Sequence, residues 1–83
     1  MTKYEKLALD SIAAMCEVTA ALLSDNGAKA ELLSQHLPGL SEEDRAELKS
    51  QAEVQQNNAR QLKENATTLR AIVAHNETKG MRE

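Results

Sequence analysis

The sequence predicts an all-α protein built as a long antiparallel helical hairpin. Two observations lead to this prediction. Residues that favour helices (Ala, Leu, Glu, Gln, Lys and Arg) dominate, and only three Gly and one Pro interrupt the 83 residues. In the second half of the chain, apolar residues also return every seven positions. No stretch alternates apolar and polar residues in the Val-rich, Ile-rich and aromatic pattern of a strand.

The few turn-forming residues divide the chain into three predicted helices. Asp25–Gly27 predicts a break, and Pro38–Leu40 predicts a bend. We therefore expect helices over about 3–24, 28–36 and 41–76. The first two together match the third in length, so a broken first arm is expected to fold back along an unbroken second arm. This hairpin forms one domain over 1–78, followed by a flexible tail over 79–83.

The third helix has the clearest start and the clearest periodicity. Ser41 is a typical N-cap, and the acidic residues Glu42–Asp44 after it favour the positive end of the helix dipole. Two series then repeat every seven residues, offset by four, as the d and a positions of a coiled coil do. The first series is Leu48, Gln55, Leu62, Leu69 and Asn76, and the second is Ala52, Ala59, Ala66 and Val73.

The small residues of the second series predict a seam that allows a neighbouring helix to approach closely. We expect Leu48, Ala52 and Ala59 to form the structural part of this seam. Gln55 and Asn76 are polar exceptions on the seam, and buried amides there specify register or oligomeric state at some cost in stability.

The first helix carries two adjacent apolar stripes, which predicts contact with two neighbours. The stripes are Tyr4, Ala8, Ser11, Met15, Val18 and Leu22, and Leu9, Ile12, Cys16, Thr19 and Leu23. A hairpin of two arms without Phe or Trp barely offsets a conformational entropy loss of roughly 1.5 kcal/mol per ordered residue. We therefore expect a homodimer in the form of a four-helix bundle, or completion of the core by the helix of a protein partner.

Composition excludes several classes of function. The net charge of −3 and pI near 5.4 argue against nucleic acid as a partner, since that affinity comes from Lys and Arg on phosphates. One cysteine excludes a disulfide framework. Charged residues interrupt the apolar stretches, so we expect no run of the ~20 apolar residues that span a bilayer, and the N-terminus does not resemble a signal peptide. The expectation is a cytoplasmic protein without a membrane partner.

The residues that carry chemistry in other proteins are scattered here. His36 and His75 lie 39 residues apart without a second ligand at helical spacing, so we expect surface histidines and no metal. Cys16 lies among apolar neighbours, which favours a small half-buried residue over a reactive thiol. The chain lacks a Gly-rich phosphate loop and a catalytic triad pattern. We predict no enzyme, no cofactor and no small-molecule substrate.

The amide-rich run Gln55–Asn58 is the most unusual composition in the chain. One interpretation is a strip that pairs with amides or backbone of a protein partner, for which Gln55 and Asn58 are the residues to test. The other interpretation is a solvated helix face with one or two polar seam positions, because Gln56 and Asn57 fall outside the a and d positions.

The second half also resembles a known family. The bend at Leu37–Leu40, a charged helix start, the Asn-containing stretch 57–65 and the final apolar run 69–73 resemble the short members of the FlgN group of flagellar export chaperones. The resemblance implies an all-α cytoplasmic chaperone that holds the tail of its substrate on the C-terminal part of the long helix. The residues it implicates are Leu62, Ala66, Leu69, Ile72 and Val73.

Two other interpretations stay open. An acidic Leu/Ala hairpin suits a small inhibitor or anti-activator equally well. Such a protein, for example one encoded by a phage, would cap an apolar surface on a regulator. A self-assembling structural subunit is a third class, because secretion-needle subunits are helical hairpins of similar length. They usually carry aromatic residues that this chain lacks.

Overall fold

The computed structural model shows two long helices joined by a tight bend. It describes the backbone of residues 1–82 and the side chains of residues 1–77. Helix α1 spans Lys3–His36 and helix α2 spans Glu42–Arg82. The two helices pack antiparallel along their length into a rod of 65 × 14 × 14 Å. The predicted all-α hairpin is therefore confirmed, as an isolated pair of helices.

Both helix starts are capped by hydroxyl side chains. Glu5 N donates to Thr2 Oγ1 at 3.1 Å, and Asp44 N donates to Ser41 Oγ at 3.1 Å, which confirms the predicted N-cap. Between the helices, Gly39 has φ +81°, a left-handed conformation that Gly adopts without the steric cost of a Cβ. The bend thus lies where the sequence predicts it.

The predicted break at Asp25–Gly27 is wrong, because α1 continues through it as a single helix. Asp25 and Lys29 form an (i, i+4) ion pair of 2.9 Å across the supposed break. Gly27 itself is buried against α2. A Cβ built on Gly27 would lie 2.8 Å from Gln56 Nε2 and 3.2 Å from Ala52 O. The glycine therefore serves close helix approach, and the expected helices 3–24 and 28–36 are one.

The seam between the helices is lined by small residues from both sides. The buried positions return every seven residues in each helix, which is the spacing of an antiparallel coiled coil. They are Ala13, Ala20, Gly27 and Ser34 in α1, and Ala52, Ala59, Ala66 and Val73 in α2. Larger residues on the neighbouring heptad positions, such as Leu23 and Leu62, are half-buried beside them. The seam is narrow, so it leaves most of each helix surface exposed.

Helix α2 extends beyond its predicted end at Asn76, to Arg82. The backbone of residues 79–82, where the flexible tail was expected, is helical, whereas their side chains and Glu83 lie outside the described residues. Asn76 bonds its own helix, with Nδ2 donating to Ile72 O at 2.8 Å. Most of the single domain expected over 1–78 thus belongs to one continuous hairpin.

Two ion pairs join the helices along the edge of the seam. Arg70 Nε donates to Glu17 Oε1 at 3.0 Å, and Lys6 pairs with Glu77. The hydrogen bond and the negative charge of Glu77 raise the pKa of Lys6, and those of Glu17 raise the pKa of Arg70. These groups are well exposed, so the pairs define the alignment of the helices more than they stabilise it.

Candidate protein-binding surface

The side of α1 that faces away from α2 is a continuous apolar surface. Its nine residues follow the helical spacing of three and four and are all exposed. We call them the outer face of α1: Tyr4, Leu7, Ala8, Ser11, Ala14, Met15, Val18, Ala21 and Leu22. None of the nine is charged. Tyr4 is 81% exposed, Met15 67% and Val18 62%, although these are large side chains that folding normally buries.

The outer face has a defined length and defined ends. From Tyr4 to Leu22 it extends over about 27 Å of helix, at 1.5 Å per residue. The next residues on the same stripes are Asp25 and Lys29, which form the ion pair described above and interrupt the apolar surface. A surface of this length matches five turns of a partner helix. It is continuous, whereas the exposed apolar residues of most proteins are scattered singly.

Beyond this ion pair lies a second, smaller apolar patch next to the bend. It forms a shallow groove in which Leu32, Leu33 and Leu37 are exposed. Lys29 and His36 border it. This groove is separate from the outer face, so the two are distinct surfaces on the same helix.

The outward side of α2 is polar by contrast. The residues at its corresponding heptad positions include Glu47, Glu53, Asn57, Arg60, Gln61, Glu64 and Thr68, and all are exposed. Val54 is the isolated large apolar residue among them, with 54% of its surface exposed. Arg60 and Asn57 bond each other, and so do Gln61 and Asn65, along the helix surface. Asn57 and Asn58 of the amide-rich run therefore lie on a solvated helix face.

The structure places most of the predicted partner-binding residues against α1. Ala66 and Val73 are buried in the seam, and Leu62 and Leu69 are half-buried beside them. Within the hairpin these four residues line the side of α2 that packs against α1. Asn58 and Ile72 are exposed. Of the expected structural seam, Ala52 and Ala59 are buried and Leu48 is half-buried.

The amide that contacts α1 is Gln56, one residue after the predicted Gln55. Gln56 Nε2 donates to Ser24 O at 2.9 Å, and Ser24 Oγ donates to Gln56 Oε1 at 3.4 Å. Gly27 leaves the space in which this side chain lies. Gln55 is half-buried, and its buried Oε1 has no hydrogen-bond partner among the described residues. The seam thus contains one satisfied amide and one unsatisfied amide oxygen.

The remaining candidate residues do not converge on a site. His36 and His75 are exposed, and Cys16 is half-buried on the seam side of α1. Among the described residues, no group of three His, Cys, Asp or Glu side chains is arranged to hold a metal ion. The depressions along the hairpin are shallow and open to solvent, as expected for two packed helices.

Helix α1 is long and apolar enough, by length and composition alone, to cross a membrane. The expectation that no segment meets this criterion is therefore wrong. The reason is that α1 has two apolar sides: small residues line the seam, and larger ones form the outer face. Between Lys6 and Asp25 only Asp10 and Glu17 are charged. A helix with two apolar sides has the composition of a membrane span even where it packs in a hairpin.

Sequence reasoning found the stripe that forms most of the outer face but missed the seam of α1. The missed signal was the series Ala13, Ala20, Gly27 and Ser34, four small residues at intervals of seven. It mirrors the Ala series of α2, and the assumption that Gly27 breaks the helix concealed it. With the small series assigned to the seam, the larger stripe on the opposite side must face outward.

Comparison with family models, with curated proteins and with solved structures gives no match to this chain. The outer face of α1 is therefore the basis of the function proposed below.

Proposed function

We propose that this chain is a non-enzymatic protein-binding module of the chaperone type, which covers an apolar helical segment of a partner protein with the outer face of α1. The observation that carries the proposal is the run of nine exposed, uncharged residues from Tyr4 to Leu22 on the side opposite the seam. Exposed apolar surface of this extent marks an interaction site, because water contact with it is unfavourable. An amphipathic helix lying along the stripe would cover it.

Charge favours a protein partner over a membrane surface. Helices that lie on membranes carry Lys and Arg beside their apolar face, which attract anionic lipids. Along α1 there are three basic and five acidic residues. Lys3, Glu5 and Lys6 flank one end of the outer face, and the Asp25–Lys29 ion pair lies at the other. This helix therefore lacks the excess of Lys and Arg that draws an amphipathic helix to anionic lipids.

The proposed site differs in position from the one that the FlgN-like resemblance implies. That resemblance points to Leu62, Ala66, Leu69 and Val73 of α2, which pack against α1 in the hairpin. The chaperone role proposed here keeps the type of ligand, an apolar helical segment, and assigns it to the outer face of α1. The proposed location is the cytoplasm.

Tyr4 supplies an intrinsic probe for this proposal, since it is the single aromatic residue of the chain and belongs to the outer face. We would dilute the protein until it is monomeric, titrate it with a 20-residue amphipathic helical peptide that lacks aromatic residues, and follow acrylamide quenching of the tyrosine fluorescence. Binding on the outer face is expected to reduce quenching. A peptide of the same composition with a scrambled apolar stripe should have no effect.

Two valines provide the matched variants. Val18→Glu puts a charge in the outer face and should weaken peptide binding at least tenfold, because the charge must be desolvated on binding. Val54→Glu makes the same change on the polar side of α2 and should leave binding unchanged. Equal binding by wild type and Val18→Glu would contradict the proposed site. Protection of Tyr4 by phosphatidylcholine/phosphatidylglycerol vesicles, with no effect of the peptide, would contradict a protein ligand.

A further inference from the structure

The outer face of α1 has the seven-residue spacing of a second coiled-coil stripe, which suits a further helix packed against it. Tyr4, Ser11 and Val18 are spaced by seven residues, and so is a second series that is offset from them by four. The second series is Ala8, Met15 and Leu22. The inference rests on the function proposed above, because it concerns the same surface and how access to it is regulated.

We propose that a second copy of this chain covers the outer face, with the two α1 helices antiparallel and Ser11 opposite the second copy's Met15. In this register Val18 lies opposite Ala8 and Tyr4 lies opposite Leu22 of the other copy. The two layers nearest the centre each combine a small side chain with a larger one. A small side chain opposite a larger one avoids both cavities and overlap in these central layers, and the two large side chains Tyr4 and Leu22 pair near the ends of the interface.

A parallel pairing of the same faces lacks this complementarity. It would pair each residue with its own copy, so the small layers at Ala8 and Ser11 would lie next to each other and leave space, while Tyr4 would pack against Tyr4 and Met15 against Met15. It would also place Glu5 next to Glu5 at one end and Asp25 next to Asp25 at the other. The antiparallel arrangement separates these like charges.

The area available suits a dimer that a partner can displace. Four of the nine side chains are Ala or Ser, so the total area that two copies bury lies at the lower end of specific interfaces, on the order of 1,000 Å². Interfaces at this lower limit are typical of transient complexes. A partner helix with better complementarity would therefore compete with the second copy for the outer face.

The arrangement predicts an unusual shape. Because the outer face lies opposite the seam and near the open end of the hairpin, the dimer would be a row of four helices with the two α1 helices in the centre. The bends would point in opposite directions. The two-fold axis would pass between the helices at the level of Ala13, about 26 residues from the bend, so the dimer would be about 80 Å long. The compact four-helix bundle expected from the sequence would stay close to the 65 Å of one hairpin.

Sedimentation velocity over increasing protein concentration, combined with small-angle X-ray scattering, tests the proposal on wild type, Val18→Glu and Val54→Glu. Wild type and Val54→Glu should form the same dimer, with a length of about 80 Å. Val18→Glu introduces a charge at two equivalent places in the interface and should raise the dimer dissociation constant at least about 100-fold. A monomer at all concentrations, a compact dimer, or a dimer that Val18→Glu leaves intact would each overturn the proposal.

Disulfide cross-linking tests the register. In a Cys16→Ala background, chains carrying Ser11→Cys and chains carrying Met15→Cys should cross-link when mixed, and each alone should do so poorly. Efficient cross-linking of Ser11→Cys alone would indicate the parallel arrangement and overturn the register.

Failure of the dimer and failure of the proposed function give different results. A monomer whose Tyr4 the peptide still protects would reject the dimer and retain the binding function. A dimer of the expected shape that the peptide never dissociates would retain the dimer and reject the binding function.

Discussion

The two helices share one seam and differ on their outward sides. Both contribute small residues every seven positions to the seam, yet α1 presents an uncharged apolar surface outward and α2 presents charges and amides. The charges follow the same division: between Lys6 and Asp25, α1 has two charged residues, whereas α2 carries them throughout. The hairpin can therefore be described as one helix that is apolar on two sides, supported by one that is apolar on one side.

This difference separates what holds the hairpin together from what it offers to other molecules. The residues with the highest burial are small, so the seam gains its stability from close backbone approach more than from large side chains. Most of the large apolar residues of α1, which contribute most per residue to burial in other proteins, remain exposed. Stability and binding thus depend on different residues, and substitutions can change one without the other.

Three valines give the strongest test of this separation. Val73 is 5% exposed in the seam, Val18 belongs to the outer face of α1, and Val54 lies on the polar side of α2. We expect Val73→Glu to destabilise the hairpin by at least about 3 kcal/mol or to unfold it, because it buries an unpaired charge. Val18→Glu and Val54→Glu should each change the stability of the isolated hairpin by less than about 0.5 kcal/mol. Urea unfolding of dilute protein, followed by circular dichroism, measures all three.

Dilution matters in this comparison because association also stabilises the folded chain. If Val18→Glu destabilised the monomeric hairpin as strongly as Val73→Glu, the outer face would be part of the core. The assigned division between the two sides of α1 would then be wrong.

A smaller effect is expected at the amide oxygen that the seam leaves unsatisfied. Gln55→Leu removes the buried Oε1 that has no partner among the described residues, and it adds apolar contact on the seam. We expect it to stabilise the hairpin by about 1 kcal/mol, the order of the desolvation cost of such a group. Gln61→Leu, on the exposed side of the same helix, is the control and should be close to neutral.

The urea unfolding midpoints of Gln55→Leu and Gln61→Leu measure this difference. A loss of stability in Gln55→Leu would show that the Gln55 amide forms a hydrogen bond in solution, and the predicted gain from its removal would be wrong.

The smallest effect concerns the ion pair at the open end of the hairpin. Glu77 raises the pKa of Lys6 above its ordinary 10.5, so the pair stabilises the folded state below that value. This contribution is lost as the pH rises through the raised pKa. Lys6→Met should therefore lose less thermal stability than wild type between about pH 9 and pH 12.

Lys49→Met is a suitable control, because Lys49 forms no ion pair among the described side chains. Parallel pH dependence of wild type and Lys6→Met melting temperatures would indicate that the pair does not persist in solution. The difference between wild type and Lys6→Met should become smaller at high salt, because the side chains of Lys6 and Glu77 are exposed.

The fold was largely predictable because its signals are local. The N-cap at Ser41, the bend before it and the Ala series of α2 each depend on a few neighbouring residues. The break at Gly27 was predicted wrongly because the same residue type serves two purposes. A glycine can end a helix, or it can let another helix approach, and only the position of Gln56 distinguishes the two.

The candidate surface was harder to predict for a related reason. A stripe such as Tyr4, Met15 and Val18 has the same spacing whether it is buried or exposed. The small residues Ala13 and Ala20 determine which side of α1 packs against α2, and the spacing of the larger residues does not. The resemblance placed the binding residues on α2, where the hairpin itself occupies them.

The contact between Gly27 and Gln56 has a consequence for how the hairpin avoids misalignment. A seam of small residues repeated every seven positions is nearly periodic, so one helix could slide along the other by a heptad and meet an almost identical set of neighbours. Sliding would bring Ala20 or Ser34 to the position of Gly27, where a Cβ would lie 3.2 Å from the backbone oxygen of Ala52 and would displace the Gln56 amide from its hydrogen bonds to Ser24. It would also bring Glu17 or Glu31 to the position of Ser24. The missing Cβ at Gly27 thus favours the native register of the two helices over registers shifted by one heptad.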